Sequence, residues 1–291
     1  MLDIGIFAPF GTDHERNVAF CQDTGVRHIV LSTGQAGENG ADGVPSEDSL
    51  KELVGVYANG GIRLMALTPP RIPQQAFADA DARREEVAHM GGILRNMGRA
   101  GIPLVHMYLN IDELSAGDQR EGLWNGLVQV YRQLAALAEE AGVRISTHHY
   151  HLPSRLLWNY ETMSALLREA ESSASGVTYC QGKSQMAGDD LVDDIRRYGE
   201  KIFMFHLRDV VTRVTGPAAP EVEKRLADIG YLEVAPGTGE VDMVGCFRAL
   251  KEIGYQGQIY PEHYPAIAGD GAAGLAWTIG YMRALDQAVD A

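Results

Sequence analysis

Cysteine and basic residues are both scarce in this sequence. Only three of its 291 residues are cysteine, and Cys21, Cys180 and Cys246 are too scattered and odd in number to predict a disulfide framework. The 25 Lys and Arg are outnumbered by 39 Asp and Glu, which gives a formal net charge of −14, and no Lys/Arg-rich run interrupts this acidic background. Because basic side chains provide most of the affinity for phosphate groups, the composition argues against nucleic acids and anionic membranes as partners.

Long hydrophobic runs are absent as well. No apolar stretch approaches the ~18–20 residues that cross a bilayer, and no basic region precedes the short apolar run in MLDIGIFAPFGTDHER. We therefore expect neither a membrane span nor a signal peptide, and the cysteine usage favours the cytoplasm. The hydrophobic fraction of 45% and the charged fraction of 22% are typical of a folded globular protein.

One unit recurs along the chain: a helical stretch, then a glycine, then an apolar run. The glycines fit helix C-caps, where a left-handed backbone is needed and glycine adopts it without strain. Each glycine precedes its own run: Gly25 VRHIVLS, Gly61 IRLMAL, Gly101 IPLVHMYL, Gly142 VRISTHH, Gly176 VTYCQ, Gly199 KIFMFHL and Gly257 QIYPEH. With LDIGIFA at the start, the pattern predicts eight strands.

Segments of helical period lie between these strands. LWNGLVQVYRQLAALAEEAG is one, and SRLLWNYETMSALLREAES is another, which Pro153 and Ser154 open as a helix start signal. Eight strand–helix units in a chain of this length predict the α/β class and a (β/α)8 TIM barrel, with residues 1–291 as a single domain.

A doubly wound sheet is the alternative fold. Against it, FAPFGTD stands after the first strand in place of a G-x-G-x-x-G pattern. TGQAGENGADGVPS and VTGPAAPEVE are typical of long loops that follow strands, and a barrel builds its active site from such loops.

Four of the later strands end in residue types that bind metals, namely His148, Cys180, His206 and Glu262. Alternate residues of these strands are apolar and suit the side that faces the helices, and the four ligand-type residues share the opposite phase. Any one of them alone is explained as a core or hydrogen-bonded residue. Four together at one end of neighbouring strands predict a metal site, for which the mixed N, S and O donors leave zinc, manganese and iron(II) as alternatives.

Further histidines adjoin this predicted site. His149 and His151 follow His148 closely, and strand phase favours His148 as the ligand among the three. His263 follows Glu262 and is a candidate general acid or base, because the pKa of an imidazole lies near neutrality. A supporting or surface role is the alternative for His263.

Cationic and polar residues are candidates for substrate binding. Arg208 has the forked guanidinium that binds carboxylates, and Lys183 in QGKSQ could bind an anion, although the glycine spacing there does not fit a phosphate-binding loop. Tyr108 and Asn110, at the end of the fourth strand, could hydrogen-bond a sugar. Glu233 in LEVAPGTGEVDM is a weaker candidate for a residue that supports the metal ligands without binding the metal itself. The glycines of that stretch predict a turn.

Several stretches together resemble one known family. In chain order, ILRNMGRAGIPLV, GVTYCQG, DDLVDDIRRYGEKIFMFHLRDV, GEVDM and GYQGQIYPEH are similar to the D-mannonate dehydratase family, within the xylose-isomerase-like TIM barrels. The most specific part is VTYCQG with FHLRDV, because the related sugar isomerases and epimerases usually carry a carboxylate at the sixth strand in place of cysteine. The resemblance implies a divalent metal, typically manganese, held by His148, Cys180, His206 and Glu262, with Arg208 and His263 at functional positions.

The sequence also departs from the family pattern. HHYHLP stands where the family has HPDDPP, Glu262 stands where the last ligand is commonly Asp, and the chain is shorter than typical members. Tyr264 and Tyr281 are the nearest candidates for the catalytic tyrosine of the family.

The reaction that the resemblance implies is the dehydration of a sugar acid such as D-mannonate to a 2-keto-3-deoxy acid, catalysed by a metal-dependent lyase. A metal-dependent sugar isomerase or epimerase on the same barrel is the first alternative, and a metal-free sugar-binding or scaffold barrel is the second. In all three cases we expect a small sugar or sugar acid as partner. Exposed helices leave a homodimer or a higher homo-oligomer open.

Overall fold

The structure, a computed structural model, describes residues 2–37, 40, 43–109, 119–213 and 220–290. Its strands in chain order are β1 (Asp3–Phe7), β2 (His28–Ser32), β3 (Arg63–Thr68), β4 (Leu104–Met107), β5 (Arg144–His148), β6 (Ser175–Cys180), β7 (Ile202–Leu207), β8 (Asp209–Val211), β9 (Leu232–Val234) and β10 (Gln258–Pro261). All except β8 and β9 form a closed barrel in the order β1-β10-β7-β6-β5-β4-β3-β2. The predicted eight-stranded α/β barrel is confirmed.

The helices follow the strands as a (β/α)8 fold requires. In chain order they are α1 (His14–Thr24), α2 (Glu47–Asn59), α3 (Gln75–Ala78), α4 (Ala80–Ala100), α5 (Arg120–Ala141), α6 (Tyr160–Ala170), α7 (Gln181–Ala187), α8 (Leu191–Tyr198), α9 (Pro220–Ile229), α10 (Met243–Glu252) and α11 (Gly271–Ala288). None of these described helices is long and apolar enough to cross a membrane. Gly25, Gly101 and Gly142 cap α1, α4 and α5 in the left-handed conformation, as predicted.

Two of the predicted glycine caps are wrong. Gly176 lies inside β6, and the left-handed residue that ends α6 is Glu171. Gly257 does not cap α10, which ends at Glu252 and is capped by Ile253. A Cβ at Gly257 would lie 2.4 Å from the hydroxyl oxygen of Tyr255, so this glycine provides room for a side chain rather than a helix end.

The predicted start of α6 at Ser154 is also wrong, because a stronger cap lies further along the chain. The helix begins at Tyr160, where the Asn159 side chain accepts a hydrogen bond from the Thr162 backbone N–H at 3.1 Å. Part of the predicted loop VTGPAAPEVE is likewise helical: residues 220–223 belong to α9, which Pro220 opens. Residues 214–219 of that stretch lie outside the described residues.

Two compact units are distinguished within the chain. The first, Gly5–Thr178, contains β2–β5 and α1–α6, and its helices pack closely: a Cβ at Gly126 of α5 would lie 1.7 Å from the Phe77 carbonyl oxygen. The second, Met1–Ile4 with Tyr179–Ala291, contains β7–β10 and α7–α11. In this C-terminal unit the Tyr179 ring lies 5.6 Å from the Phe205 ring and 5.9 Å from the Tyr198 ring of α8, so Tyr179 is on the side of β6 that faces the helices.

An antiparallel two-stranded sheet of β8 and β9 follows β7 in the C-terminal unit and was not predicted. Val210 of β8 pairs with Glu233 of β9. The buried carboxylate of Asp209 fixes the loop after β9, because it accepts hydrogen bonds from backbone N–H groups at four positions: Val210, Gly237, Gly239 and Val241. The turn predicted for the two glycines is confirmed.

Candidate metal centre

Three ligand-type side chains meet in the C-terminal unit at the carboxyl ends of β6, β7 and β10. The thiol of Cys180 donates a hydrogen bond to Oε2 of Glu262 at 3.4 Å, and Nδ1 of His206 lies 3.3 Å from the same oxygen. Cys180 and His206 are fully buried, and 14% of the Glu262 side chain is exposed. A thiol, an imidazole and a carboxylate thus converge at a largely buried point.

The register of β7 and β10 brings two of these residues together. Tyr260 pairs with His206 and Pro261 pairs with Leu207 in a parallel ladder. The backbone N–H of Glu262 continues this ladder by donating to the carbonyl of Leu207 at 2.9 Å. Glu262 is thereby held directly past the end of the strand, on the same side as His206.

His148 ends β5 in the N-terminal unit, where it pairs with Thr178 of β6. Its Nδ1 donates to the carbonyl of His149 at 2.6 Å, and this hydrogen bond assigns the tautomer in which Nε2 carries the lone pair that a metal ligand needs. The Nδ1 of His149 bonds to the carbonyl of Tyr150 at 2.7 Å.

One ligand atom from each of four residues lies within 4.8 Å of the others, and these residues are His148, Cys180, His206 and Glu262. This is the set predicted from the strand ends, and among the three neighbouring histidines it includes His148. The donor set itself fits a divalent transition metal, since two imidazoles, a thiol and a carboxylate are ligands that such ions take in proteins. Burial and the nearby charge of Glu262 raise the pKa of the Cys180 thiol to about 12 in the absence of an ion.

A second cluster, of Arg208, Glu233 and His263, adjoins Glu262. The side chain of Arg208 is 2% exposed, forms a short ion pair with Oε1 of Glu233 through Nη2, and places Nη1 3.7 Å from Oε2 of Glu262. His263 places Nδ1 3.0 Å from Oε2 of Glu233 and Nε2 3.6 Å from Oε1 of Glu262. The predicted Arg208 and His263 therefore lie together beside the ligand group.

The charges in this cluster shift its pKa values. The carboxylate of Glu233, followed by that of Glu262, raises the pKa of His263 to about 9, so the imidazole is cationic at neutral pH. Burial alone would raise the pKa of Glu233, but His263 and Arg208 outweigh it and lower that pKa. Glu233 is the residue that the sequence indicated only weakly, and its position next to a glycine-rich turn was the available signal.

Lys183 and Arg208 share one aromatic neighbour. The Lys183 ammonium lies 5.8 Å from the centre of the Tyr231 ring, and the Arg208 guanidinium lies 5.6 Å from the same centre. Burial, and then the charge of Arg208, lowers the pKa of Lys183. Gly182 lies under the Arg208 side chain, because a Cβ there would be 2.9 Å from its Cγ. Tyr231 is a neighbour that the sequence did not indicate.

The other candidates are more dispersed. Tyr108 stacks on His148 with a ring separation of 4.9 Å, and Asn110 lies outside the described residues. Tyr264 is half-buried, which raises its pKa, while Tyr281 stacks on Trp277 and closely approaches the Gly237 backbone. Among the described residues, neither of these two tyrosines makes a hydrogen bond or a ring contact with the ligand group.

A comparison of the whole sequence with known families decides the family. The profile of the xylose isomerase-like TIM barrel family matches residues 18–285. This chain belongs to that family.

Curated members related to this xylose isomerase-like barrel include mannonate dehydratases. The protein from Rhizobium meliloti strain 1021 is 29% identical over 204 residues, which are 59% of this chain and 48% of that protein. The protein from Thermotoga maritima is 25% identical over 199 residues, 62% of this chain and 51% of its own length. The chain thus spans about half the length of the curated relatives that it matches.

Solved structures share the barrel fold at lower identity. The mannonate dehydratase of Streptococcus suis serotype 2 has a TM-score of 0.75 at 19% identity and covers 99% of this chain and 93% of its own. The D-psicose 3-epimerase of Clostridium cellulolyticum H10 has a TM-score of 0.74 at 17% identity, with 99% of both chains covered. An IolI protein solved with a zinc atom has a TM-score of 0.70 at 16% identity, covering 99% and 96%. These likenesses show the fold alone, which dehydratases and epimerases have in common.

Proposed function

We propose that this chain is a metal-dependent hydro-lyase that removes water from a sugar acid such as D-mannonate and releases a 2-keto-3-deoxy acid. The observation that carries the proposal is the pair of cations beside the ligand group: Arg208 faces Glu262, and Lys183 lies over the same Tyr231 ring as Arg208. Two cations at such a site suit an anionic substrate better than a neutral sugar. The mannonate dehydratases among the relatives support the same class of reaction.

The proposed metal ligands are His148, Cys180, His206 and Glu262, whose donor atoms lie within 4.8 Å of one another. Mn2+ is the expected ion, with Fe2+ or Zn2+ as alternatives, and the zinc-containing IolI neighbour supports a divalent metal without deciding which one. When bound, the ion supplies Lewis acidity that stabilises negative charge on substrate oxygens.

In this proposal, two residues of the second cluster bind the substrate carboxylate and transfer a proton. Arg208, with Lys183 beside it, binds the substrate carboxylate through its guanidinium. His263 moves a proton, either to the departing hydroxyl or at the carbon next to the carboxylate. One C–H bond and the adjacent C–O bond break, the hydroxyl leaves as water, and the resulting enol becomes the 2-keto group. Tyr108 and Asn110 are proposed to hydrogen-bond the hydroxyl groups of the substrate.

The proposal is tested by loading the protein with Mn2+, Fe2+ or Zn2+ in turn and incubating it with D-mannonate. We expect a 2-keto-3-deoxy acid, measured as its semicarbazone or by mass spectrometry as the loss of one water. Parallel incubations with neutral ketohexoses separate the alternatives. Formation of epimers of those sugars, without a deoxy product, would support an isomerase or epimerase in place of the lyase. A protein that takes up no metal and converts none of these substrates would support a sugar-binding barrel.

A further inference from the structure

Glu233 uses its two carboxylate oxygens for two different cations. Oε1 pairs with Nη2 of Arg208, and Oε2 lies 3.0 Å from Nδ1 of His263. Glu233 does not belong to the group of four ligand-type residues. It contacts instead the two residues to which the proposed function assigns substrate binding and proton transfer.

The remaining nitrogens of these two cations point toward Glu262. Nη1 of Arg208 lies 3.7 Å from Oε2 of Glu262, and Nε2 of His263 lies 3.6 Å from Oε1. Both separations exceed a hydrogen-bond distance. Arg208 and His263 therefore each contact Glu233 more closely than they contact Glu262. Glu233 thus holds one end of each side chain and leaves the other end directed at the ligand group.

The fold fixes Glu233 in this position from two directions. In the two-stranded sheet, Glu233 of β9 pairs with Val210 of β8. Val210 lies two residues after Arg208 in the chain. The loop that leaves β9 is tied to Asp209, whose Oδ2 accepts from the N–H groups of Gly237 and Gly239, each at 2.8 Å. Asp209 follows Arg208 directly in the chain. The residue that fixes the loop after Glu233 is therefore the neighbour of the residue whose guanidinium Glu233 contacts.

The backbone of His263 adopts an uncommon conformation. His263 has a φ of 54°, in the left-handed region that a residue with a side chain rarely adopts. Such a conformation persists where the surroundings over-determine it, and it is common at functional sites. The contact of Nδ1 with Glu233 is the shorter of the two that this ring makes with carboxylates.

We propose that Glu233 is a positioning residue, which orients the His263 imidazole and the Arg208 guanidinium together for the proposed dehydration. The inference rests on the proposed function for its catalytic consequence, but the orientation itself is a property of the protein alone. Glu233 touches neither the metal ligands nor, in this proposal, the substrate. It acts through His263 and Arg208.

The first test compares Glu233→Gln with Glu240→Gln in the Mn2+-loaded full chain. Glu240 lies in the loop that follows β9 and accepts two hydrogen bonds from Thr212 rather than contacting His263 or Arg208, so it is a matched control. We expect Glu233→Gln to lower kcat about 10- to 100-fold with unchanged metal content, and Glu240→Gln to leave kcat unchanged. Equal kcat values in the two variants would overturn the proposal.

A double-mutant cycle identifies the residue through which Glu233 acts. Because Glu233 acts partly through His263, the variant that carries both Glu233→Gln and His263→Asn should lose less kcat than the product of the two single losses. Fully multiplicative losses in kcat would overturn this coupling. Glu233→Asp keeps the charge on a shorter side chain, and we expect a kcat between those of the wild type and Glu233→Gln.

A third readout does not depend on turnover. In 1H–15N spectra of the Zn2+-loaded protein, the Nδ1–H proton of His263, assigned by its loss in His263→Asn, should lie downfield because its acceptor is a carboxylate. We expect this signal to shift upfield or disappear in Glu233→Gln and to stay unchanged in Glu240→Gln. An unchanged signal in Glu233→Gln overturns the positioning role whatever the activity, whereas a shifted signal in a protein without dehydratase activity refutes only the proposed function.

Discussion

The thiol of Cys180 lies 3.4 Å from Oε2 of Glu262, although 82 positions separate them in the sequence. Such a contact arises because parallel strands of a closed barrel deliver their carboxyl ends to one rim. Without an ion, burial and the negative charge of Glu262 both raise the pKa of the Cys180 thiol, so the thiol stays protonated and donates to Glu262. A divalent cation would reverse that preference by stabilising the thiolate.

Replacing Cys180 by serine should weaken metal binding. The hydroxyl is a harder and more weakly acidic donor than the thiol, so we expect the Kd for Zn2+ to rise about 10-fold or more. Competition with a chromophoric chelator measures the change. Cys21→Ser is the matched control, because Cys21 is also buried but lies in α1 and outside the ligand group. Equal Kd values for the two variants would remove Cys180 from the ligand set.

Replacing His263 by asparagine should lower turnover and spare the metal. If the imidazole performs general acid or base work, kcat on D-mannonate should fall roughly 100-fold or more. Metal content, measured by inductively coupled plasma mass spectrometry, should remain that of the wild type, because His263 is not in the ligand group. Near-normal turnover with full metal occupancy contradicts the assigned role.

Replacing Arg208 by methionine should destabilise the fold. The side chain is 2% exposed and faces both Glu233 and Glu262, so its loss leaves two carboxylates without this cation. We expect a loss of about 3–5 kcal/mol in the free energy of unfolding, measured by urea titration. Arg196→Met provides the control, since Arg196 forms an exposed pair with Glu252 whose loss should cost about 1 kcal/mol or less. Similar losses in both variants would refute the structural importance of Arg208.

Asp194 should make stability depend on pH. Its side chain is 4% exposed, and burial, followed by the charge of Asp189, raises its pKa to about 7. An unfolded aspartate titrates near pH ~4, so the folded protein binds this proton more tightly. The stabilisation of the folded protein by this bound proton is fully present below pH ~4 and is lost as the pH rises through about 7.

Asp194→Asn should therefore gain stability relative to the wild type at pH 8 and gain little at pH 4. Urea titrations of both proteins at the two pH values give the difference. Asp193→Asn in the same helix is the control, because 56% of the Asp193 side chain is exposed. A stability difference for Asp194→Asn that does not change between pH 4 and pH 8 would contradict the raised pKa.

Periodicity and strand phase were sufficient for the barrel and for the candidate ligands. His206 and Glu262 stand at strand ends that the apolar runs mark clearly, and parallel pairing then brings them together. Gly176 and Gly257 were misassigned as helix caps because glycine also occurs where a strand continues or a side chain needs room. The pattern of residue types does not separate these uses of glycine.

The sequence indicated Glu233 only weakly as a site residue, because its position depends on the short antiparallel sheet of β8 and β9. Each of its strands has three residues, too few for an alternation signal, and α9 separates them in the chain. Contacts such as Glu233 with His263 arise from tertiary structure that strand periodicity does not encode. A single domain over residues 1–291, a cytoplasmic location and a homo-oligomeric state stay predictions.

The close fit of Gly182 beneath Arg208 limits how the proposed carboxylate-binding site could be altered. A Cβ at Gly182 would lie 2.9 Å from Cγ of Arg208, so a larger residue pushes the guanidinium stem aside, whereas the Lys183 ammonium lies 5.8 Å from the centre of the Tyr231 ring. Under the proposed function, substitutions meant to accept other sugar acids should therefore be made at Lys183, with Gly182 held constant.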